Sequence, residues 1–374
     1  METRALGRTG LTVTAVSLGT EYLIGKPHDH IVEVVSAALD VGITYYDLFC
    51  AEPDFRDAMG VAFRGRRDQA VLAAHFGATV DKDGQYKKTR AMSTSERFFD
   101  DFLTRFDTDH ADVLFLHNCD SEKDTDKVLR EDGFLGRALR LKEAGLTQFI
   151  GFSGHTVATA RRAVETGHID VLMFPINLTG HAVPGKLDLL HRCAERGVGV
   201  VAMKPYSGGK LLQDTRTISA GHYYRGGETL KLRKSAAITP AQCLSYALSQ
   251  IGVGCAVPGC ANLEELADAL AYDGTSAEDR DYAEALAGFE QYVEGQCTYC
   301  NHCLPCPSHI DIGQTLRLLD LAANGVTPAL QAAYDAMPAS ASDCIECGAC
   351  ETRCPFGVPT VNRIAEAAEM FTGA

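Results

Sequence analysis

Tryptophan is absent from this sequence, and so is any apolar run long enough to cross a bilayer. The opening residues, Met1-Glu-Thr-Arg-Ala-Leu-Gly-Arg8, hold no apolar signal core, so a cytoplasmic protein without a membrane segment is expected. Positive charge is short: 35 Lys and Arg stand against 49 Asp and Glu, a formal net charge of −14. That balance opposes nucleic-acid binding, which needs a basic face to neutralise phosphates. A Gly-rich dinucleotide fingerprint is also missing from the first strand–helix turn, which argues against an open doubly wound sheet.

Cysteine, by contrast, is plentiful. Fourteen occur, and eight of them fall in two motifs near the end of the chain. The first is Cys297-x-x-Cys300-x-x-Cys303-x-x-Cys306-Pro307; the second is Cys344-x-x-Cys347-x-x-Cys350-x-x-x-Cys354-Pro355. Three thiolates at intervals of three wrap a compact cube, and a fourth ending in Cys-Pro leaves in another direction, as in [4Fe–4S] ligation. In two-cluster ferredoxins that fourth thiolate ligates the other cluster. Structural zinc also uses paired Cys-x-x-Cys elements but does not call for the Cys-Pro ending. Two [4Fe–4S] clusters are expected. The remaining six cysteines are scattered and read as free thiols of a reducing compartment.

Upstream, short apolar runs alternate with amphipathic stretches. Strands are expected at Val16–Leu18, Thr44–Leu48, Val71–His75, Asp112–His117, Phe149–Ser153, Val171–Pro175, Val198–Ala202 and Cys255–Val257. Helical patterns separate them, so the fold class is α/β, a (β/α)₈ TIM barrel spanning residues 1–280. Residues 281–374 form a small α-helical ferredoxin-like domain, because helical patterns at Ile312–Ala323 and Pro328–Met337 separate the cysteine motifs. The connection Ser207–Thr239, with Lys210, Arg216, Arg225, Lys231, Arg233 and Lys234, reads either as a basic lid over an anion or as a solvated loop.

Leu6-Gly-Arg-Thr-Gly10, Tyr46-Asp47, Asp112-Val-Leu-Phe-Leu-His117, Gly151-Phe-Ser-Gly-His155, Met203-Lys-Pro-Tyr-Ser-Gly-Gly209 and Val257-Pro-Gly259 together resemble the aldo-keto reductase family. With the cysteine motifs, the whole chain resembles its subgroup carrying a fused ferredoxin-type domain. The resemblance implies hydride exchange between NAD(P)H and a carbonyl, served by an Asp, a Tyr proton donor, a Lys and a His. Asp47 and His117 match the Asp and the His; the Tyr position holds Glu52 and the Lys position holds His75. Ser153, Asn177, Lys204 and Gly259 are the cofactor-facing positions that the resemblance implies. Gly154 replaces a common Asn, Met173 a common Gln, and Met203 a stacking aromatic, while the segment after Gly259 lacks a Lys or Arg for a 2′-phosphate.

Asp47, Glu52, His75 and His117 all belong to the C-terminal ends of strands two to four, where barrel enzymes place their chemistry. Glu52 beside Asp47 is a candidate proton donor in place of the missing Tyr, since neighbouring carboxylates do not both ionise cheaply. The same residues offer ligands for a divalent metal, with Cys50 and Cys119 nearby, or form a decayed site in which His75 and Asp47 satisfy one another. His155 and His181 read as substrate contacts or as structural histidines. Three functions follow. The leading one is an oxidoreductase acting on a small carbonyl or hydroxyl compound, its clusters relaying electrons from a ferredoxin, flavoprotein or other redox partner. The second is a redox-neutral lyase, dehydratase or isomerase using Glu52, His75 and His117. The third is a non-catalytic electron-transfer subunit.

Overall fold

The computed structural model describes the whole chain except residues 83, 85, 182, 184, 213–216, 220–230, 234–237, 288–296, 298–302, 323–324, 355–356 and 373–374. Much of the Ser207–Thr239 connection, including Arg216, His222, Tyr223, Tyr224, Arg225 and Lys234, therefore lies outside the described residues, as does Cys300. The chain divides into two compact units. One comprises residues 1–213, 219–231 and 238–281; the other comprises 214–218, 232–237 and 282–374.

The first unit opens with an antiparallel hairpin, β1 (Thr3–Ala5) and β2 (Thr12–Thr14). Eight strands then run parallel: β3 (Leu18–Gly19), β4 (Tyr45–Leu48), β5 (Val71–Phe76), β8 (Ala111–Leu116), β9 (Thr147–Ser153), β10 (Val171–Pro175), β11 (Gly199–Met203) and β14 (Val253–Val257). Parallel bridges Val16–Ala256 and Gly19–Gly259 join the first strand to the last and close the barrel. Helices α1 (His28–Asp40), α2 (Pro53–Phe63), α3 (Met92–Arg105), α4 (Glu122–Val128), α5 (Phe134–Glu143), α6 (Val157–Glu165), α7 (Lys186–Glu195), α8 (Pro240–Ser249) and α9 (Leu263–Leu270) follow their strands. Helices outside and side chains inside bury both faces of the sheet. Val71–Phe76 and Ala111–Leu116 are accordingly buried at every position and read as apolar runs broken only by His75 and Asp112.

The strands match the expected ones to within a few residues. Two features were not legible. Helix α2 is one, since Pro53-Asp-Phe-Arg-Asp carries little periodic signal. The other is a short antiparallel hairpin, β6 (Ala78–Val80) with β7 (Tyr86–Lys88), inserted after β5 and pairing Val80 with Tyr86. The strands β12 (Thr217–Ser219) and β13 (Lys231–Arg233) pair with one another within the long connection.

The barrel interior is filled by Leu6, Val13, Tyr45, Val71, Ala73, Val113, Phe115, Val171, Met173, Val201, Met203, Cys255 and Val257. Successive residues of a strand point to opposite faces, so the residue two beyond an interior one is interior again. That places Asp47 after Tyr45, His75 after Ala73 and His117 after Phe115, all at the C-terminal mouth. Gly151 pairs with Phe115, and a Cβ there would sit 2.4 Å from the Phe115 ring.

The described part of residues 282–374 in the second unit is helical: α10 (Ala283–Ala287), α11 (Ile312–Leu321), α12 (Pro328–Asp335), α13 (Ala349–Arg353) and α14 (Thr360–Thr372). Tyr334 stacks on Phe371 with ring centroids 4.4 Å apart and accepts the Ala341 amide at 2.8 Å, tying α12, α14 and the second cysteine loop together. Among the described residues no helix is long and apolar enough to cross a membrane.

The N-terminal hairpin closes on backbone alone. Gly7 has φ +56°, and a Cβ there would stand 2.2 Å from the Gly199 nitrogen. Gly7→Ala is therefore expected to lower stability by more than about 1 kcal/mol, read as a fall in thermal midpoint at unchanged cluster content.

Candidate functional site

Three interior polar residues and one tyrosine form a continuous hydrogen-bonded line at the barrel mouth. Asp47 Oδ1 lies 2.9 Å from His75 Nε2. His75 Nδ1 lies 2.9 Å from His117 Nδ1, and His117 Nε2 lies 2.6 Å from the Tyr86 hydroxyl. His75 stacks on Phe115 with centroids 5.0 Å apart, and Phe49 packs over His75, His117 and Tyr86. His75 and His117 are 6% and 5% exposed, so each imidazole depends on these partners for its hydrogen bonds. Burial pushes His117 well below the ordinary histidine value, reinforced by the neighbouring His75, the cations Arg90 and Lys88, and His155. It stays neutral. The Tyr86 phenol is raised by burial, against the lowering effect of the Asn118 side chain and the Arg90 guanidinium.

The sequence reading pointed to Asp47, His75 and His117, which the structure brings together, and to Glu52, which it does not. Glu52 is the N-cap of α2: its carboxylate accepts the amides of Asp54 at 3.2 Å and Phe55 at 2.7 Å, with Pro53 in the first turn. Tyr86 fills the gap. It comes from the inserted hairpin rather than from the loop after β4, so no spacing rule from Asp47 could have found it. The metal expectation changes too. Asp47, His75 and His117 direct their ring and carboxylate atoms at one another in a line rather than at a common point. Among the described residues no group of three His, Cys, Asp or Glu is set to hold a single ion. Cys50 and Cys119 are buried thiols, Cys119 pushed up to about 12 by burial.

The line opens into a cavity of about 670 Å³. Beside Asp47, Phe49, His75, Tyr86 and His117, it is lined by Glu21, Tyr22, Asn118, His155, Lys204, Tyr206, Glu265 and Asp268, with Met173 and Met203 on the apolar side. Ser153, Lys204 and Gly259 reach this cavity; Asn177 does not. The Asn177 amide instead donates to the Lys204 carbonyl at 2.9 Å and accepts from Thr179 and the Gly180 amide, joining the ends of β10 and β11. Asn118, Lys204 and Ser207 all hold positive φ (47°, 55° and 52°), backbone strain gathered at the ends of barrel strands around the mouth. Gly259 packs its backbone against Tyr22, where a Cβ would meet the ring at 2.3 Å.

The start of α9 does not present itself to an anion. Glu265 Oε2 accepts the Ala261 amide at 2.7 Å, and Asn262 caps the Glu265 amide at 2.9 Å, so the chain's own groups take the donors a phosphate would use. Asp120 holds His155 through both its ring Nδ1 (2.9 Å) and its amide (2.6 Å), and the His155 partner lowers the Asp120 carboxyl. His181 lies apart from the cavity lining, with its Nδ1 3.0 Å from the Tyr246 hydroxyl, and burial pushes it down to about 4.

In the second unit Cys303 and Cys306 of the first motif and Cys344, Cys347 and Cys350 of the second line one apolar hollow with Pro305, Pro307, Ile345 and Ile364. The Glu346 amide donates to Cys344 Sγ at 3.4 Å, and Arg353 donates to the carbonyls of Cys303 and Pro305, fastening one motif to the other. Thiols from both motifs border one apolar space, with Cys306 beside the second triplet as crossed ligation requires, although among the described residues no three of them form a group set to hold one ion. Cys354 is not among the lining residues.

The aldo/keto reductase family model matches residues 15–285, and a 4Fe-4S dicluster domain model matches 296–359. The chain belongs to the aldo/keto reductase family. It is 29% identical over 225 residues to L-galactose dehydrogenase of Arabidopsis thaliana, covering 57% of this chain and 68% of that one. Among solved structures it resembles the aldo-keto reductase AKR11C1 of Bacillus halodurans in its holo form, at TM-score 0.60 and 20% identity over 76% of this chain and 96% of the other. An aldo-keto reductase of Pseudomonas aeruginosa matches at TM-score 0.55 and 22% identity, over 72% and 94%. These likenesses establish the barrel fold. Family membership and the fused domain make the protein an aldo-keto-reductase-type oxidoreductase with a 4Fe-4S domain.

Because the Glu52 carboxylate caps a helix, Glu52→Ala is expected to cost about 1 kcal/mol of stability, measured by denaturant titration. The same variant should leave the pH dependence of turnover where it is; a displaced profile would return Glu52 to the chemistry.

Proposed function

We propose that the barrel interconverts a hydroxyl and a carbonyl on a small, uncharged polyhydroxylated substrate, with a nicotinamide as the hydride carrier. One observation carries this reading: the Asp47–His75–His117–Tyr86 line, its two imidazoles buried, opens on a 670 Å³ cavity. Such a line handles the hydroxyl proton that must leave when a carbonyl forms. The remaining lining favours the substrate class. Glu21, Asp47 and Asp268 supply acceptors for sugar-like hydroxyls, against Lys204 as the lysine in the lining. An anionic substrate would meet this surplus of carboxylates. The relative that acts on L-galactose, by its name, points the same way.

Glu265 and Asp268 stand in the segment where a 2′-phosphate would be paired, which favours NAD over NADP. A bound nicotinamide would take or give the hydride; Ser153, Lys204 and Gly259 are the residues of this chain placed to face it. For the second unit we propose two [4Fe–4S] clusters, the first on Cys297, Cys300, Cys303 and Cys354, the second on Cys344, Cys347, Cys350 and Cys306. Each cluster carries one electron, so the pair has the capacity of one hydride equivalent. The clusters thereby suit exchange with a ferredoxin, a flavoprotein or another redox partner. A redox-neutral reading draws its support from His155, which Asp120 orients at the cavity as a second acid–base group.

Anaerobically purified protein is expected to oxidise L-galactose or a related polyol with NAD⁺, followed by NADH absorbance, and to prefer NAD⁺ to NADP⁺. Product formed without any electron acceptor would overturn the redox reading in favour of the neutral one. Cys306→Ser and Cys347→Ser should each lower bound iron and abolish substrate-dependent reduction of an artificial one-electron dye. Full dye reduction in an iron-depleted, folded variant would remove the clusters from the electron path.

A further inference from the structure

The hydrogens in the mouth line can be placed by counting. An ionised carboxylate only accepts, and a neutral imidazole carries one hydrogen on one of its two nitrogens. With Asp47 ionised, His75 places its hydrogen on Nε2 toward Asp47, which leaves His75 Nδ1 an acceptor. His117 then carries its hydrogen on Nδ1, toward His75, and its Nε2 accepts from the Tyr86 hydroxyl. Every bond has one hydrogen, and all run in one direction, from Tyr86 toward Asp47. Tyr86, 47% exposed and lining the cavity, therefore turns oxygen lone pairs toward a substrate.

We propose that Tyr86 is the catalytic acid–base of this barrel and that His117, His75 and Asp47 form a reversible proton wire behind it. The proposal rests on the alcohol–carbonyl reading above and specifies its proton path. In the oxidative direction the substrate hydroxyl gives its proton to the Tyr86 oxygen, and the Tyr86 hydrogen passes to His117 Nε2. The His117 hydrogen on Nδ1 passes to His75 Nδ1, and the His75 hydrogen on Nε2 passes to Asp47. A bound oxidised nicotinamide would take the hydride from the substrate carbon as the carbonyl forms. Asp47 ends protonated, and all four hydrogen bonds have reversed, so Tyr86 now presents a hydrogen to the carbonyl. That state is the acid needed for reduction. One proton at the inner end thus selects whether Tyr86 acts as base or acid.

The wire is insulated and its ends differ. Phe49 and Phe115 pack against the imidazoles and leave them 6% and 5% exposed, which limits the water beside the transfer. Arg90 donates to the His117 and Asn118 carbonyls while paired with Asp124, and Lys88 bonds the Asn118 carbonyl and the same Asp124. These two cations, with the Asp120–His155 pair and Glu21, are the charges that face Tyr86 and His117. Asn118 and Arg90 favour negative charge on the phenol oxygen during transfer, while the positive neighbours keep His117 from holding the proton. The proton comes to rest at Asp47.

Tyr86→Phe is expected to reduce kcat by about 10²- to 10⁴-fold in both directions with little change in KM, the range of general acid–base catalysis. In wild type the oxidation rate should rise with pH and the reduction rate fall, about a shared midpoint. His75→Gln, which cannot reverse its two bonds by titration, should erase that midpoint. A Tyr86→Phe enzyme within about 3-fold of wild type would overturn the assignment, since a lost acid–base costs far more. A second measurement is independent of turnover: imidazole ¹⁵N resonances at neutral pH should show hydrogen on Nε2 of His75 and Nδ1 of His117. Hydrogen on Nε2 of His117 would overturn the wire. Wild-type protein inert toward every polyol would instead count against the functional reading, with the tautomers still deciding the line.

Discussion

A closed parallel sheet offers its interior no water, so every inward polar group has to find a partner among the other inward groups. In this barrel that constraint meets three strands at once. Asp47, His75 and His117 each sit two residues beyond an apolar interior position, and the register of β4, β5 and β8 sets them side by side. The hydrogen-bonded line is the solution to that accounting. It spends the carboxylate on one imidazole, that imidazole on the next, and the last nitrogen on a phenol brought from outside the barrel. The geometry that satisfies burial is also the one the proposed proton path needs, because satisfaction in a line requires every group to be donor on one side and acceptor on the other.

The same accounting explains why neighbouring candidates drop away from the site. Glu52 faces the open amides of a helix start, a partner closer than any mouth residue. Asn177 bridges two strand ends through both halves of its amide. Glu265 closes the α9 turn with its own carboxylate. Each is a polar residue at the mouth end of the barrel whose hydrogen-bonding capacity is consumed by the backbone. The residues left to act are those whose partners are other titratable side chains.

A family tetrad with two altered positions need not be a dead one. On the proposed reading His75 stands where the family's lysine would; it carries no permanent charge and bonds on both sides. A permanent cation biases a tyrosine in one direction; a titratable imidazole leaves both directions open. The two proposed clusters would fit that reversibility, since two one-electron carriers match one hydride equivalent in either direction.

The sequence by itself pointed to the barrel, to the two cysteine motifs and to the inward residues Asp47, His75 and His117. Strand period, cysteine spacing and the Cys-Pro endings are local properties that survive without knowledge of any contact. It also carried the helical character of the second unit, since helices separate the two cysteine motifs. Only the tertiary structure decided which residue answers His117. Tyr86 lies in a three-residue strand with no apolar alternation, after a short turn, and its hydroxyl arrives at His117 because Val80 and Tyr86 pair across the hairpin. The roles of Glu52 and Asn177 were decided there too: capping and bridging depend on which backbone amides stand open nearby, and that is a property of chain ends meeting in space.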